Sequence, residues 1–375
     1  MRVIHRVTLA SAATVASVIV AAGVAVAPAA QARTHHSFIG GFSTISVVAS
    51  TVPGNGDVNP YGVAVVRQSL GKLHRGDVLV SNFNNSVPPA GQQGTGTTIV
   101  QISPGGKQSL FAQINAAHLP GACPGGVGLT TALSILRGGW VVVGSLPTMA
   151  GDPTTSKAGC LLVLNSRGHV VETFHGHGIN GPWDMTAVNF GRVAELFVTN
   201  VLNGTVAAGG KQVDHGTVLR LVVTTPEHGM PRMLAATIIG SGFAETTDPN
   251  ALVIGPTGVG LGRNGTLYVA DTLNNRIAAI TDAVFRFRSA GTGRTVSQGG
   301  HLNAPLGLAI APNGDILTAN GGDGNLVETT PHGDQITVKE VNTAGGGALF
   351  GLAVAPHGDG VYLVDDALNN LDLFH

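Results

Sequence analysis

Two closely spaced histidines are the side chains of this chain best suited to metal chemistry. His175 and His177 lie in the stretch ETFHGHGINGPWD, which also contains Trp183 and Asp184. Residues separated by one position share a face of an extended backbone, and imidazole is a common ligand of transition metals. The stretch therefore predicts a candidate site for a divalent metal such as zinc. A glycine-rich surface loop with incidental histidines is the alternative.

A second candidate group is a series of Asp and Asn residues that recur after apolar runs. The runs are DVLVSNFNN, ELFVTNVLN, TLYVADTLN, DILTANGGD and VYLVDDALN, and the related run WVVVGSLPT lacks the polar pair. The first polar positions are Asn82, Asn200, Asp271, Asn320, Asp365 and Asp366. If these side chains converge at one mouth, they offer oxygen atoms to Ca²⁺ or hydrogen bonds to a sugar or peptide. We predict no cofactor, and calcium or zinc is the alternative.

Turn formation is the other interpretation of this pattern. The second polar positions, three residues after the first, are Asn85, Asn203, Asn274, Asp323 and Asn369. A side-chain oxygen of Asp or Asn can accept the backbone N–H two residues further on, which forms an Asx-turn. We therefore predict that these polar residues stabilise the reversal from one strand into the next.

The recurring runs also predict the fold. Each run is preceded by a Gly and alternating apolar residues, as in PYGVAVV and GPTGVGLG, and a tight turn such as RNG or PNG separates the two elements. Two strands joined in this way form a hairpin, and further strands follow in each copy. Four antiparallel strands repeated six times predict an all-β fold, a six-bladed β-propeller.

The two ends of the chain complement each other. The last copy contains three strands, GLAVAP, VYLVDD and NNLDLFH, whereas the stretch STISVVAST from Ser43 belongs to no copy. We expect this N-terminal strand to join the C-terminal blade as its outer strand, because that pairing removes an open sheet edge. Residues 33–375 then form one propeller domain.

Residues 1–32 have the pattern of a signal peptide. The basic start MRVIHR is followed by an apolar stretch and by an Ala-x-Ala pattern that ends at Ala32. This predicts a secreted or extracytoplasmic protein, cleaved after Ala32 and without a membrane span thereafter. A retained membrane anchor is the alternative. In an oxidising compartment Cys123 and Cys160 are expected to form a disulfide, with two buried free thiols as the alternative.

Three stretches resemble the NHL-repeat family of six-bladed propellers: GPTGVGLGRNGTLYVADTLNNRIAAI, APLGLAIAPNGDILTANGGDGNLVE and FGLAVAPHGDGVYLVDDALNNLDLF. The resemblance covers most of the chain after residue 32 and implies the fold, with binding of protein, peptide or nucleic acid as in many members. Related six-bladed propellers include gluconolactonase-like hydrolases, which hold a divalent metal in the central channel, and lyases with His ligands. The GPW stretch resembles the gluconolactonase motif in which Glu precedes Gly-Pro. Asn180 stands at that position, so the expected anionic ligand is missing.

The charge and the motifs of the sequence argue against two classes of function, nucleic-acid binding and serine hydrolysis. Charged residues make up 11% of the chain and the net charge is −1, so no basic stripe indicates nucleic-acid binding. The G-x-S-x-G motif of serine hydrolases is absent from the sequence. We predict a monomeric, non-catalytic binding scaffold for an unidentified protein, peptide or small molecule. A metal-dependent hydrolase or lyase using His175 and His177, and a structural module of the cell envelope, are the alternatives.

Overall fold

Six separate β-sheets make up the protein in the computed structural model, which describes residues 35–86, 92–149, 151–248, 251–342 and 345–375. The compact unit extends from Ser37 to His375. The signal peptide predicted for residues 1–32 lies outside the described residues. Each sheet is antiparallel and uses consecutive strands, apart from the last, which the N-terminal strand completes. This architecture is the predicted six-bladed β-propeller.

The strands follow one another blade by blade, after an N-terminal strand β1 (Ile45–Ser50). Blade 1 consists of β2 (Asp57–Val65), β3 (Val78–Asn85), β4 (Thr98–Ile102) and β5 (Gln108–Gln113). Blade 2 consists of β6 (Leu129–Leu136), β7 (Trp140–Ser145), β8 (Cys160–Leu164) and β9 (Val170–Phe174). Blade 3 consists of β10 (Gly181–Phe190), β11 (Val193–Val201), β12 (Val213–Thr224), β13 (Met233–Asp248) and β14 (Leu252–Ile254). Blade 4 consists of β15 (Pro256–Leu261), β16 (Leu267–Asp271), β17 (Arg276–Ile280) and β18 (Arg294–Gln298). Blade 5 consists of β19 (Pro305–Ile310), β20 (Ile316–Asn320), β21 (Asn325–Thr329) and β22 (Gln335–Glu340). Blade 6 consists of β23 (Leu349–Val354), β24 (Val361–Asp365) and β25 (Asn370–Phe374), together with β1.

Among the described residues, helical structure is limited to single 3-10 turns. These span Ala116–His118, Pro153–Thr155, Thr272–Asn274, Ala283–Phe285 and Pro356–Gly358. In the part of the chain that the structure describes, no helix is long and apolar enough to cross a membrane.

The ring closes as the sequence predicts. Strand β1 pairs antiparallel with β25, from Ile45 opposite Phe374 to Ser50 opposite Asn370. Just before β1, the backbone N–H groups of Ser43 and Thr44 donate to the carbonyl of His375. The expected N-terminal strand in the last blade is therefore confirmed, and it covers the sheet edge that β25 otherwise exposes.

Innermost strands of neighbouring blades approach each other closely at a repeated glycine, which explains the Pro-x-Gly pattern of the repeats. A Cβ added to Gly307 would lie 1.9 Å from the carbonyl oxygen of Phe350, and one added to Gly351 would lie 2.1 Å from that of Tyr61. No side chain fits such a gap. Blade 3 has Asp184 at this position, and its carboxylate accepts a hydrogen bond from the backbone of the next inner strand.

Blade 3 also has one strand more than predicted. Its outer strand β13 runs for 16 residues, and β14 pairs with the end of it, with Thr246 opposite Ile254 and Asp248 opposite Leu252. We call the paired segments 246–248 and 252–254 the cap hairpin. Leu252 and Val253 are buried in a cluster with inner-strand residues of several blades, so the cap hairpin packs against the centre of the ring.

The predicted disulfide is confirmed. Cys123 and Cys160 are bonded, with their Cα atoms 5.3 Å apart. Cys123 precedes blade 2 and Cys160 begins β8, so the bridge joins the two loops that flank the first hairpin of that blade. A disulfide is compatible with an oxidising, extracytoplasmic compartment.

A buried carboxylate fixes the segment that precedes β1. Glu328 accepts hydrogen bonds from Ser37 Oγ, from the backbone N–H groups of Phe38 and Ile39, and from Asn313 Nδ2. Burial alone would raise the pKa of Glu328, but the hydrogen bonds from Ser37, Phe38 and Ile39 help to hold it below its usual value. The start of the compact unit is thus anchored to blade 5.

Candidate ligand-binding cavity in the central channel

The innermost strands enclose a cavity of about 650 Å³ on the axis of the ring. Because alternate residues of a strand face the same side, each inner strand contributes one residue to each of two aliphatic rings. The deeper ring consists of Val63, Leu133, Met185, Val259, Leu308 and Leu352. The shallower ring consists of Val65, Ile135, Ala187, Leu261, Ile310 and Val354.

The mouth of the cavity is formed by the turns that join the first and second strands of the blades. It is lined by Arg67 and Gln68 from the β2–β3 turn, by Arg137 from the β6–β7 turn and by Asn189 near the end of β10. We call this side of the ring, with the turns between first and second and between third and fourth strands, the turn face. The opposite side, which carries the links between blades and the turns after second strands, is the link face. The predicted ligands His175 and His177 lie on the link face, whereas the cavity opens on the turn face.

An aromatic plug fills the link-face end of the channel. The ring centroid of Tyr61 lies 3.9 Å from that of Phe350 and 4.6 Å from that of Phe83, and both ring pairs are stacked. Trp183 stacks 6.3 Å from Phe350, and its indole N–H donates to the carbonyl of Val253 in the cap hairpin at 3.0 Å. All four aromatic side chains are buried. A void of about 10 Å³ lies beside them.

Asp184 is the ionisable group at the inner end of the cavity. Its carboxylate accepts hydrogen bonds from the backbone N–H groups of Met185, at 2.7 Å, and Val259, at 3.1 Å. Burial among apolar neighbours raises the pKa of Asp184 to about 7, against the lowering effect of these two donors. Near neutral pH this carboxyl group therefore exchanges between its neutral and ionised forms.

The order of the strands places an excess of basic side chains on one side of the ring. The turns of the turn face contain eleven basic side chains: Arg67, Lys72, Arg75, Lys107, Arg137, Arg167, Arg192, Arg232, Arg263, Arg286 and Arg288. The same turns contain six acidic ones: Asp77, Glu227, Asp282, Asp315, Asp334 and Asp359. The described loops of the link face contribute Lys157 and Lys211 against Asp152, Asp323 and Asp366. The turn face is thus basic although the chain is nearly neutral.

The histidine pair predicted as a metal site lies on an exposed turn of the link face. His175 and His177 flank Gly176, and His177 has a positive φ of 52°. Asn180, nearby, uses its side-chain amide to donate to Asn203 at 2.7 Å. Within the described ranges, no three His, Cys, Asp or Glu side chains come together in a way that could hold a metal ion. The residues around this pair therefore do not fit a gluconolactonase-type metal centre.

The recurring Asp and Asn residues lie inside the blades, fully buried at Asn82, Asn200, Asp271 and Asn320. The expected Asx-turn is wrong for most of them, because their side chains reach back to the preceding link. Asn200 Oδ1 accepts from the N–H groups of Asn180 and Gly181. Asn82 and Asn320 likewise donate to carbonyl groups of earlier links.

Their partners three residues later fall into several arrangements. Asn203 and Asp323 accept the amide of the first polar residue, and Asn274 donates to Asp271, which also binds Arg276. An Asx-turn of the expected kind occurs at Asp323, which accepts the N–H two residues on. Asn85 lies in β3 rather than in a turn. Asn369 occupies a turn with a positive φ of 56°.

A carboxylate pair in the last blade has strongly perturbed acidity. Burial, and then the neighbouring charge of Asp365, raise the pKa of Asp366 to about 7 and that of Asp372 to about 6. Asp365 itself accepts the N–H of Leu368 at 3.0 Å. Burial also raises the pKa of Glu245 to about 7, where Asn203 donates to it. Glu245 and Asp372 lie in strands β13 and β25, and Asp366 is half-buried in the link-face turn after β24. They are not among the residues that line the cavity.

Sequence reasoning missed the cavity and its basic face. The signal for the cavity was present in the alternating apolar residues of the six first strands, which were interpreted only as evidence for a fold. The sequence predicts Trp183 and Asp184 as neighbours of a metal site. The structure places them instead at the floor of the cavity, one in the plug and one at its inner wall.

Comparison with known proteins agrees on the architecture. No family model and no curated protein sequence matches the chain. A gluconolactonase from Xanthomonas campestris is similar in structure, with 13% identity, 88% of each chain covered and a TM-score of 0.52. A streptogramin B lyase, with 14% identity, 88% of this chain and 97% of that chain covered, has a TM-score of 0.50.

A third similar structure is the calcium-binding protein regucalcin from Agrobacterium tumefaciens, with 12% identity, 89% of this chain and 93% of that chain covered, and a TM-score of 0.50. At such identities the likeness concerns the fold. The NHL-repeat resemblance therefore stays a prediction, and the chain is a six-bladed β-propeller with structural neighbours among the gluconolactonase and streptogramin lyase propellers.

Proposed function

We propose that the protein binds a small amphiphile, with its apolar part in the central cavity and an anionic group at the mouth. The observation that carries this proposal is the pair of aliphatic rings that end at Arg67 and Arg137. A volume of about 650 Å³ is within the range of small-molecule sites in proteins. The guanidinium groups offer paired donors to a carboxylate, sulfate or phosphate.

Burial of an alkyl chain supplies the affinity in this proposal. Each methylene group removed from water contributes about 0.8 kcal/mol, so ten of them contribute roughly 8 kcal/mol before the costs of association. A micromolar dissociation constant corresponds to about 8 kcal/mol of net binding free energy. We therefore expect affinity in the micromolar range or weaker, with the arginines deciding which head groups bind.

Titration with a dansylated undecanoic acid tests this function. We expect saturable enhancement of dansyl fluorescence, and at least a tenfold weaker affinity in Ala187→Trp, because the indole fills the shallower aliphatic ring. Replacing Arg67 and Arg137 by Gln should weaken binding of the anionic probe more than binding of its methyl ester. Ala117→Trp, at an exposed position of the link face, is the matched control. Equal affinity in Ala187→Trp and Ala117→Trp would refute the cavity as the binding site.

A hydrolase or lyase acting in the same cavity is the second candidate, and Asp184 is the observation that favours it. A carboxyl group with a pKa of about 7 in an apolar site can act as a general acid or base near neutral pH. The structural neighbours described as a gluconolactonase and a streptogramin B lyase make this class worth testing. Hydrolysis of p-nitrophenyl octanoate that is lost in Asp184→Asn, while binding of the probe persists, would support it over simple binding.

We also propose that the protein is exported and cleaved after Ala32. Cleavage there removes nothing from the compact unit, which begins at Ser37, and the Cys123–Cys160 disulfide suits an oxidising compartment. N-terminal sequencing of the protein recovered outside the cytoplasm should begin at Arg33. Recovery of the uncut chain in the membrane fraction would contradict this proposal.

A further inference from the structure

We infer that the turn face docks on an anionic lipid bilayer through a loop of blade 4. The segment Phe285, Arg286, Phe287 and Arg288, which we call the FRFR loop, connects β17 to β18. Its two phenylalanines are 76% and 80% exposed, the highest values among the large hydrophobic side chains of the described residues. Exposed apolar side chains that cluster on a protein surface, rather than occurring singly, indicate an interaction surface.

The FRFR loop is fixed at both ends, so its aromatic side chains are presented rather than loosely tethered. Ala283 N–H donates to Gly265 O at 3.0 Å, and Ala290 N–H donates to Ile239 O at 2.9 Å. Arg220 donates to the carbonyl of Val284, and its guanidinium carbon lies 5.5 Å from the ring centroid of Phe287. A loop already held in one conformation loses little entropy when it binds.

Further exposed apolar side chains lie on the turn face in blade 3, which neighbours the FRFR loop. Phe190, at the end of β10, is 50% exposed, and Met230, in the turn between β12 and β13, is 54% exposed. Both lie at the turn face, as the FRFR loop does. Blades 3 and 4 therefore present several apolar contacts on one side of the ring rather than a single isolated residue.

Charge complementarity identifies the partner as an anionic surface. The turn face carries the eleven basic and six acidic side chains named above, and Arg286 and Arg288 alternate with the exposed phenylalanines. Basic residues are attracted to anionic head groups, while aromatic side chains partition into the boundary between head groups and acyl chains. The phosphate groups of a nucleic acid could pair with the arginines, but a nucleic acid would leave Phe190 and Met230 exposed to water. We therefore favour the bilayer.

This surface also contains the mouth of the central cavity, lined by Arg67 and Arg137. A membrane bound at the turn face would bring its head groups towards that mouth. The docking inference itself rests on the FRFR loop and the basic turns, and holds whatever occupies the cavity.

Flotation with lipid vesicles tests the inference on the protein that contains residues 33–375. We expect partition onto vesicles of phosphatidylglycerol and phosphatidylcholine at low salt, and at least tenfold weaker partition onto phosphatidylcholine alone. The double variant Phe285→Ser/Phe287→Ser should lower partition at least tenfold, as should Arg286→Gln/Arg288→Gln. Leu368→Ser, which removes a 66% exposed leucine from the link face, is the matched control and should bind like the parent protein. Thermal unfolding of every variant checks that it folds.

Three outcomes would overturn the inference. One is the absence of partition onto phosphatidylglycerol vesicles. Another is partition that the phenylalanine pair does not affect, because adsorption by charge alone does not need the FRFR loop. The third is retention of a single-stranded oligonucleotide that competes fully with the vesicles and depends on the same phenylalanines, since the face would then be a nucleic-acid site.

Discussion

Replacing Asp184 by Asn should remove a specific part of the pH dependence of stability. Burial raises the pKa of this carboxyl group from 3.8 to about 7 in the folded protein. Between these two values the folded state holds a proton that the unfolded state has released. The free energy of unfolding therefore falls as pH rises through this window, by up to about 1.4 kcal/mol per pH unit. From pH 5 to pH 8 the loss due to Asp184 is about 2.5 kcal/mol.

Urea unfolding followed by tryptophan fluorescence at pH 5, 6, 7 and 8 measures this loss. Asn cannot ionise, so the difference in unfolding free energy between the parent and Asp184→Asn should change by about 2.5 kcal/mol across the series, in favour of the variant at high pH. The amide replaces one acceptor of the two backbone N–H groups, which costs a constant 1–3 kcal/mol at every pH and does not affect the slope. Asp152→Asn is the control, because this exposed carboxylate has a lowered pKa and stays ionised throughout. A parallel pair of pH profiles for the parent and Asp184→Asn would refute the assignment.

Other variants test the contacts that hold the ring together. Replacing Cys123 and Cys160 by Ser should lower the free energy of unfolding by about 3–4 kcal/mol, from the entropy of a loop of 37 residues, as measured by the urea midpoint. Glu328→Gln should cost about 1–3 kcal/mol and expose the N-terminal segment to proteolysis, whereas cleavage at the parental rate would contradict its anchoring role. Gly307→Ala should cost about 1–3 kcal/mol or more through overpacking against the adjacent inner strand, while Gly41→Ala, which meets nothing within 4 Å, should be nearly neutral in thermal unfolding.

Much of the architecture could be predicted because it repeats. Copies of one strand pattern, an unpaired strand at each end of the chain and two cysteines were sufficient for the blades, the closure by β1 and the disulfide. The role of the polar repeat positions could not be predicted in the same way. Whether Asn200 bonds forward to a turn or back to a link depends on how a blade packs against the incoming chain, which local sequence does not encode.

The basic face was hidden for a different physical reason. A net charge of −1 describes the sum over the chain, whereas a propeller alternates its loops between two faces. Residues such as Arg137 and Arg286 are far apart in sequence, yet the antiparallel path of the strands brings both to the turn face. The net charge of the whole chain is therefore a poor guide to the electrostatic potential at this surface.

The aromatic plug closes the link-face end of the channel, and the cavity lies on its turn-face side. Tyr61, Trp183 and Phe350 each lie two residues before a member of the deeper aliphatic ring, on the same side of their strands. Three large rings at one level fill the axis, and the cap hairpin supplies the carbonyl that Trp183 needs when its N–H is buried. Smaller residues at this level would extend the cavity towards the link face, where the predicted His and Asn candidates lie. With the plug in place, the chemistry of the channel is determined by the aliphatic rings, by Asp184 and by the basic mouth.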